Sequence, residues 1–383
     1  MIKIKILSCG DIHLTNYTAF NQPTDNPAMG TRLQTILKAL KVFFNYGKEH
    51  DINVFVINGD FFDQRQRDNP STLALIQNSF NNMINNILDN CDKDYYIYFN
   101  TGNHDELTRD TIPSALDNFK WYSNGNHHIK VINTVTPVML DNFELFFVPY
   151  SEDIKGTKEA INDYLVKHRS KVPTTIFAHL GVNGATQGRW NHRLSSAFNL
   201  QDLAWSNPDI KNIVLSHYHT RQSLKKQGTK EAWYIGDLTE LNFNDIQSNG
   251  MGAPRGFDIV DTDGGHEFID LTKDPYDLPT FNLIDFDKVK DKEHQIGLLA
   301  DLSKMGNYIR ITTTDKHYYE ELKDKLVPEL TQVVFIPPEH KEEMQVKSGM
   351  SDNKIVEEYC KKYYPDVVNE ALDYLMKVKE NQC

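Results

Sequence analysis

The sequence predicts an α/β fold in which strands and helices alternate along the chain. Short apolar runs alternate with amphipathic stretches through the first part of the chain, which is the pattern of layered strands and helices. Each of the first three apolar runs also ends in a polar cluster that contains Asp, Asn or His. In open α/β sheets the loops at the carboxyl ends of the strands gather at one edge, where functional groups collect. Together the two observations predict a layered domain with a polar site at a sheet edge.

The individual elements follow from the spacing of apolar residues. Residues 2–8 form the first predicted strand, and apolar residues at helical spacing over 33–44 predict the first helix. Pro70 begins a second helix, for which Ser71 is the expected N-cap. Further strands are predicted at 54–57, 95–100, 130–132, 145–148, 175–177 and 213–215.

A change of pattern near Leu278 predicts a domain boundary, because no polar cluster follows the strands after it. Residues 278–338 show the alternation of a small α/β domain, and the polar run 339–353 is typical of a linker. Residues 354–383 contain two amphipathic helices. The small domain has predicted strands at 282–284, 308–312 and 332–336, and predicted helices at 295–303 and 318–326.

Composition sets limits on function. The chain has 383 residues and a formal charge of −12, which excludes a protein that coats nucleic acid by bulk electrostatics. Its four cysteines are scattered, without the spacing of a zinc site or a secreted disulfide scaffold. No run approaches the roughly 18 apolar residues that span a bilayer, and the first residues do not form a signal peptide. We expect a cytoplasmic protein of a bacterium or a phage-infected bacterial cell, and the richness in Asn, Lys, Ile and Tyr suits an AT-rich genome.

Eight side chains at the predicted strand ends combine hard oxygen ligands with imidazoles. Taken singly, each has an ordinary structural explanation in a loop. As a set they suit two divalent ions such as Mn, Fe or Zn. The eight residues are Asp11, His13, Asp60, Asn103, His104, His179, His217 and His219.

The short spacings within the set have a mechanical reason. Asp11 and His13, like His217 and His219, are two positions apart and leave an extended segment on the same side. Asp60 follows a glycine, and its carboxylate could bridge two ions about 3.5–4 Å apart, as two-metal catalysis requires.

In order and context, these motifs resemble the calcineurin-like metallophosphoesterase superfamily. The resemblance implies a four-layer fold of two central β-sheets flanked by helices, with two divalent metal ions at its active site. It implies that one ion is held by Asp11, His13, Asp60 and His219, and the other by Asp60, Asn103, His179 and His217. It further implies that His104 is a non-ligand acid acting on the leaving oxygen, with Asp105 orienting it. The motifs are Asp11-x-His13, Gly59-Asp60-x-x-Asp63, Gly102-Asn103-His104-Asp105, His179 and His217-x-His219.

Within the superfamily, the chain is most similar to SbcD-type DNA repair exonucleases, the nuclease subunits that work with an SMC-type ATPase. The similarity lies in residues 6–14, 233–237 and 254–257, and in the order of a small domain followed by a helical tail. It implies an Mn-dependent exonuclease or endonuclease that acts in DNA recombination, repair or degradation. In that layout residues 1–277 are the nuclease domain, 278–338 a capping domain that faces DNA, and 354–383 the segment that docks on an SbcC-like ATPase. A homodimer of the nuclease subunit is also expected.

One other interpretation stays open, and two are disfavoured. A phosphomonoesterase or cyclic-nucleotide phosphodiesterase of the same superfamily is the alternative. A protein phosphatase is disfavoured, because Asp63 is followed by Gln64-Arg65 where that branch has Arg-Gly. An inactive binding module is disfavoured because the ligand set is complete.

Some positions depart from the family pattern. Many archaeal and eukaryotic members have His where this chain has Asp63, which is therefore either a strand-end contact, a partner of a metal ligand or a loop residue. Asp237 stands where a small hydroxyl residue is usual. After His179, the polar loop with Arg189, Trp190 and Arg193 offers a phosphate contact and a stacking surface for DNA, with a purely structural loop as the alternative.

Overall fold

The computed structural model describes residues 4–63, 70–89, 92–106, 114–121, 127–167, 171–337, 350–364 and 367–380. Contacts between residues divide the chain into two compact units, Met1–Phe335 and Ile336–Cys383. None of the helices in the described ranges is long and apolar enough to cross a membrane.

The first unit contains all of the described strands and most of the helices. The strands are β1 (Lys5–Cys9), β2 (Val54–Asn58), β3 (Tyr95–Asn100), β4 (His127–Ile132), β5 (Thr136–Leu140), β6 (Phe143–Val148), β7 (Thr174–His179), β8 (Thr186–Gln187), β9 (His192–Arg193), β10 (Ile210–Ser216), β11 (Gln222–Gln227), β12 (Lys230–Tyr234), β13 (Gly256–Asp261), β14 (His266–Asp270), β15 (Phe281–Asp285), β16 (Tyr308–Thr313) and β17 (Thr331–Phe335). The α-helices of this unit are α1 (Thr31–Glu49), α2 (Pro70–Leu88), α3 (Ile154–Asn162), α4 (Lys292–Lys304) and α5 (Lys316–Lys325), and those of the second unit are α6 (Asp352–Tyr363) and α7 (Val368–Glu380). Short 3-10 helices lie at Ala115–Trp121, Phe286–Lys288 and Pro328–Leu330, and a π-helical turn lies at Asp163–Lys167.

Two six-stranded mixed sheets form the centre of this unit. The first has the order β14-β13-β1-β2-β3-β4 and the second the order β11-β12-β10-β7-β6-β5. In the first sheet β1 to β4 run parallel and β13 is antiparallel to β1. In the second, β6, β7, β10 and β12 run parallel, with β5 and β11 antiparallel at the edges.

The two sheets pack face to face, and helices cover their outer faces. Because side chains alternate between the faces of a strand, Ile6 joins the apolar core between the sheets while Leu7 faces α1 and α2. In the second sheet Phe147 faces inward and Phe146 packs outward toward Ile161 of α3. The predicted four-layer α/β architecture is thus confirmed. One local prediction was wrong: α2 already includes Pro70, so Ser71 lies inside the helix rather than at its cap.

A third, three-stranded parallel sheet of β15, β16 and β17 is covered by α4 and α5. Its own small core includes Ile296, Leu299 and Ile309. A second apolar cluster joins Phe281 and Tyr308 of this sheet to loops of the larger domain. The predicted boundary between 277 and 278 falls in the connection from β14 to β15 and stays a prediction.

The second unit consists of α6 and α7, which lie where the sequence predicts two tail helices. Most of the predicted linker lies outside the described residues, and α6 already begins at Asp352. Several large side chains of this helical pair are exposed, among them Tyr359, Tyr364 and Tyr374.

Candidate metal centre

Two buried asparagines connect the sheets directly beneath the polar edge. Asn58, the last residue of β2, donates from Nδ2 to the carbonyls of Ala178 and Val214 in the other sheet, at 3.3 and 3.2 Å. Asn100, the last residue of β3, donates to Asn58 Oδ1 at 2.9 Å and to the carbonyl of Val148 at 3.2 Å. These bonds fix the carboxyl ends of strands from both sheets against one another. The polar residues that follow the strands therefore converge on one place.

The backbone at this edge is strained at four of the predicted ligands. Asp11, His13, Asp60 and His217 have φ angles of 47°, 52°, 50° and 98°. Non-glycine residues in the left-handed region cost about 1 kcal/mol or more each, and such strain is retained mainly at functional sites. The carbonyl of Asp60 accepts hydrogen bonds from the amides of both Ile12 and His13 at 2.9 Å. The loops after β1 and β2 thus hold each other in these conformations.

One group of ligand atoms is formed by Asp11, His13 and His219, which lie within 4.8 Å of one another. Asp11 is fully buried, and its carboxylate accepts from the amide of His217 at 3.0 and 3.1 Å. Both ring nitrogens of His13 are buried without a hydrogen-bond partner among the described residues. The Asp63 carboxylate lies 3.3 Å from His13 Nδ1, close enough for an electrostatic contact but not aligned for a hydrogen bond. An unsatisfied buried imidazole fits a metal ligand.

A second group joins Asp60, His179 and His217 within the same distance. Asp60 Oδ2 lies 3.2 Å from His179 Nε2. Asn103 Oδ1 lies 3.2 Å from that same nitrogen and 2.9 Å from Nδ1 of His217. Four donor atoms from four loops therefore surround one point, and Asp60 also groups with His13 and His104. The donor set fits two neighbouring cations that share the Asp60 carboxylate.

The His179 ring is held by its other nitrogen. Its Nδ1 donates to the carbonyl of Asn58 at 2.9 Å, which fixes the tautomer and directs Nε2 at the Asp60 carboxylate. Gly59 makes room for this ring, because a Cβ at that position would lie 2.0 Å from His179 Nδ1. The close approach of His179 therefore requires a glycine at position 59.

The electrostatics of the second group show how strongly its charges interact. Burial opposes ionisation of Asp60, but His179, His13 and His104 outweigh it and lower the pKa of Asp60 below its ordinary range. Burial likewise opposes protonation of His179, yet the Asp60 carboxylate raises the pKa of His179 to about 9. For His217, burial and the neighbouring His179 lower the pKa to about 3. A neutral His217 offers the unprotonated nitrogen that a cation needs.

His104 is oriented by Asp63 and not by its sequence neighbour. The ring Nδ1 of His104 hydrogen-bonds the backbone carbonyl of Asp63, and its backbone amide donates to Asp60 Oδ1 at 2.8 Å. Asp105 instead accepts from the amides of Phe61 and Phe62 through Oδ1, at 3.0 and 3.1 Å, and from the Gly102 amide through Oδ2, at 2.9 Å. The expectation that Asp105 orients His104 is corrected accordingly: within the turn after β3 the two side chains diverge, and Asp105 braces the loops.

The sequence did not single out Asp245, whose carboxylate holds the ring of His219. His219 Nδ1 lies 3.3 Å from Asp245 Oδ1 and 3.5 Å from Asp237 Oδ1. Burial opposes protonation of His219, but Asp237 and Asp245 raise its pKa well above the usual value. Asp245 is fixed by the amides of Leu241 and Asn242, at 3.3 and 3.0 Å. It lies in a loop without periodic pattern, so only its acidic character was visible in the sequence.

The predicted DNA-contact residues occupy a hairpin next to this histidine. Arg189 and Trp190 lie in the turn between β8 and β9, and Arg193 ends β9. Trp190 is 66% exposed, with the Arg189 guanidinium carbon 4.6 Å from its ring centroid. Asp63, the other such residue, contacts His13, as described above, and also accepts from the Tyr17 hydroxyl at 3.3 Å. Gln64-Arg65, on which the exclusion of protein phosphatases rests, lies outside the described residues.

Comparison with known proteins gives a family match. The model of the family described as calcineurin-like phosphoesterase matches residues 4–246. This range includes the second sheet and strands β1 to β4 of the first sheet, and it ends just after Asp245. No curated protein matches the chain. A solved dimetal phosphatase from Danio rerio is similar, with 8% identity, 70% of this chain and 98% of that chain covered, and a TM-score of 0.45. The nuclease MPE from Pseudomonas putida is also similar, with 14% identity, 67% and 84% covered, and a TM-score of 0.28.

Proposed function

Because the chain belongs to the calcineurin-like phosphoesterase family, whose members hydrolyse phosphoesters at a dimetal centre, we propose that it is a metal-dependent DNA nuclease. In this proposal it cleaves DNA phosphodiesters as an exonuclease or endonuclease in recombination, repair or degradation. An SMC-type ATPase resembling SbcC is its proposed partner.

We assign the proposed ligands from the two groups of donor atoms. Asp11, His13, Asp60 and His219 would hold one ion, and Asp60, Asn103, His179 and His217 the other. When bound, two divalent ions activate water for attack on phosphorus and stabilise the charge that develops there. Mixed carboxylate, amide and imidazole donors suit Mn, Fe or Zn, and we propose Mn²⁺ on the resemblance to SbcD-type nucleases.

His104 is the proposed acid for the leaving oxygen. Its Nδ1 can only donate to the Asp63 carbonyl, since a carbonyl oxygen has no proton to give. This bond orients the ring and leaves Nε2 as the atom that would transfer a proton. Asp60 fixes the backbone of the same residue, so the acid is positioned from two sides.

The observation that carries the choice of DNA is the exposed Arg189–Trp190 pair on the hairpin beside His219. A guanidinium and a solvent-exposed indole together match a nucleic acid, which offers phosphates and base faces. A phosphomonoester or a cyclic nucleotide is the alternative substrate. A simple phosphomonoester has no base to stack on the indole, whereas a cyclic nucleotide has one and is separated from DNA by the assay below.

The proposed ATPase contact is the helical tail. Two helices alone cannot bury a large apolar face, and Tyr359, Tyr364 and Tyr374 are 46%, 56% and 72% exposed. Such a surface suits docking on another helical protein. A homodimer of the nuclease subunit remains part of the proposal on the family resemblance alone.

Parallel assays on different substrates test the proposed choice of DNA. Purified chain with Mn²⁺ is given end-labelled duplex DNA, the corresponding single strand, p-nitrophenyl phosphate and a cyclic nucleotide in parallel. Cleavage of DNA supports the nuclease. Turnover of only the monoester or the cyclic nucleotide refutes it. Asp60→Asn, prepared identically, is the control for contaminating nucleases, because it removes the shared carboxylate.

A further inference from the structure

The hairpin formed by Thr186–Arg193 (β8, its turn and β9) is a small but firmly held element. The amide of Asn191 donates to the carbonyl of Gly188 at 2.9 Å, closing the turn, and both residues have positive φ, 51° and 70°. Gln222, at the start of β11, accepts from the Thr186 amide and donates to the Thr186 carbonyl, each at 2.7 Å. The turn is therefore presented on the scaffold of the second sheet.

The turn of this hairpin exposes the indole ring of Trp190 to solvent. Trp190 is 66% exposed, although a large aromatic ring is normally removed from water on folding. Arg189 lies against it with its guanidinium carbon 4.6 Å from the ring centroid, an arrangement that restrains both side chains. An aromatic ring held in this way is a platform for another flat ring.

Arg189 also lines an adjoining cavity of about 360 Å³. Two other arginines line this cavity. Arg221 makes two hydrogen bonds with Asp258, at 2.9 and 2.8 Å, and Arg255 donates to the carbonyl of Asp245 at 2.5 Å. The Nε of Arg189 is buried and has no hydrogen-bond partner among the described residues. The Nε of Arg255 also lacks one, but the Arg255 side chain is only 2% exposed and its Nε lies 4.0 Å from the Asp237 carboxylate. A buried, unsatisfied guanidinium nitrogen indicates an anionic ligand.

The cavity borders the candidate metal centre. Thr220 and Asp245 line it, the first adjacent in sequence to His219 and the second in contact with its ring. A group bound there lies next to a phosphate at the metal centre. The Asp245 carboxylate is already satisfied by His219 and by backbone amides, so it leaves Arg189 as the group available for a phosphate.

We propose that the hairpin and this cavity form a subsite for one unpaired nucleotide adjoining the scissile phosphate, an inference that rests on the proposed nuclease function. The base stacks on Trp190 and the phosphate of the same strand binds Arg189. Inside a duplex both faces of a base are covered by its neighbours, so away from the ends the indole can stack only on a base that has left the helix. The chain therefore prefers single strands and frayed ends to intact duplex.

The test compares two strands of equal length, a single-stranded oligonucleotide and its fully abasic analogue, which keeps the phosphates but has no bases. We expect Trp190→Ala to raise KM for the normal strand about tenfold and to leave KM for the abasic strand unchanged. Trp190→Phe keeps an aromatic face, so its KM for the normal strand should stay close to that of wild type. Arg189→Ala should raise KM for both strands. Lys225→Ala, which removes an exposed cation from β11, is the matched control and should change neither.

The outcomes separate the subsite from the function on which it rests. The subsite proposal is overturned if Trp190→Ala and wild type have the same KM for the normal strand. It is also overturned if Trp190→Ala raises KM equally for the normal and the abasic strand. Preference of the wild type for blunt duplex over the single strand overturns it too. If wild type cleaves neither strand but hydrolyses p-nitrophenyl phosphate, the nuclease proposal itself fails. Thermal melts of each variant confirm that the fold is intact.

Discussion

The backbone carbonyl of Asp63 accepts a hydrogen bond from the ring of His104, while the carboxylate of the same residue lies 3.3 Å from His13 Nδ1. One residue thus touches a proposed acid and a proposed ligand through two different chemical groups. Tyr17 supports it, since its hydroxyl lies 3.3 Å from the carboxylate and donates to the carbonyl of His13 at 3.1 Å. Of the roles open to Asp63 from sequence, contact with a metal ligand is the one that this geometry favours.

Because of this double contact, we expect Asp63→Ala to change metal affinity without changing kcat. The variant keeps the carbonyl that orients His104 but removes the carboxylate beside His13. We expect metal affinity to fall roughly 10–100-fold, with kcat at saturating metal close to wild type. Titration of activity with Mn²⁺ measures both quantities. Tyr17→Phe should lower the affinity less, and a large loss of kcat with unchanged affinity would contradict the assignment.

His104→Ala tests whether His104 is an acid or a ligand, since its ring also groups with His13 and Asp60 within ligand distance. We expect cleavage to fall by about 100-fold or more, because proton transfer to the leaving oxygen is lost. Elemental analysis of the purified variant should still find two ions per chain. Asp60→Asn serves as the control that does lose metal. A matching loss in His104→Ala would make His104 a ligand.

The elements that the sequence predicted well are those whose pattern is set by burial. The central strands of the two sheets are continuous apolar runs, and the loops that follow these strands carry the clustered polar side chains. β11 was not predicted, since its sequence Gln222–Gln227 is almost wholly polar and it is a strand only because it pairs with β12. β5 was missed for a related reason, as its residues are only partly buried.

Within the site, sequence order was a poor guide to side-chain contacts. Asp105 follows His104 directly, yet it bonds amides of the neighbouring loop. Asp245 lies 26 positions from His219 and reaches its ring through a long loop. Contacts of this kind depend on how loops from different strands fold over one edge. Periodicity carries no information about them, whereas motif order was enough to predict the residues at the strand ends.

Asp245→Asn should weaken the metal site through His219. The carboxylate accepts from His219 Nδ1, and its loss removes the charge that orients the ring. We expect metal affinity to fall about 10-fold or more, with little change in the fold. Calorimetric titration of metal-free protein measures this. Asp301→Asn, which alters a 74% exposed carboxylate on α4, should bind metal like wild type. An unchanged affinity in Asp245→Asn would show that the contact has no such role.

The buried carboxyl group of Glu240 should make the free energy of unfolding depend on pH. It accepts from the amides of Ala253 and Phe281, and so ties β15 to the loop after β12. Burial raises its pKa from 4.5 to about 7, with Arg255 opposing the shift. For a group whose pKa is raised in the folded state, the stability contribution is complete below pH 4.5 and is lost as pH rises through about 7.

Glu240→Gln removes this titration. At pH 5 the variant should be less stable than wild type by about 1 kcal/mol, because a glutamine offers one carbonyl acceptor to two amides. Between pH 5 and pH 8 wild type should lose up to about 3 kcal/mol relative to the variant. Denaturant unfolding of EDTA-treated protein at both pH values measures the difference. A constant gap between the two proteins would contradict the raised pKa.

Removal of the tail should separate hydrolysis from partner binding. The division of contacts falls between Phe335 and Ile336, and all proposed ligands lie before it, so truncation after Pro338 should leave kcat and metal content unchanged. The same truncation should abolish co-purification with the proposed ATPase, because α6 and α7 are then absent. In the full-length chain, Tyr374→Ser changes a 72% exposed side chain and should weaken association without affecting hydrolysis. The exposed Lys225→Ala is the control for surface substitution. Retention of the ATPase by the truncated chain would place the docking surface in the first unit, and the exposed tyrosines would then need another explanation.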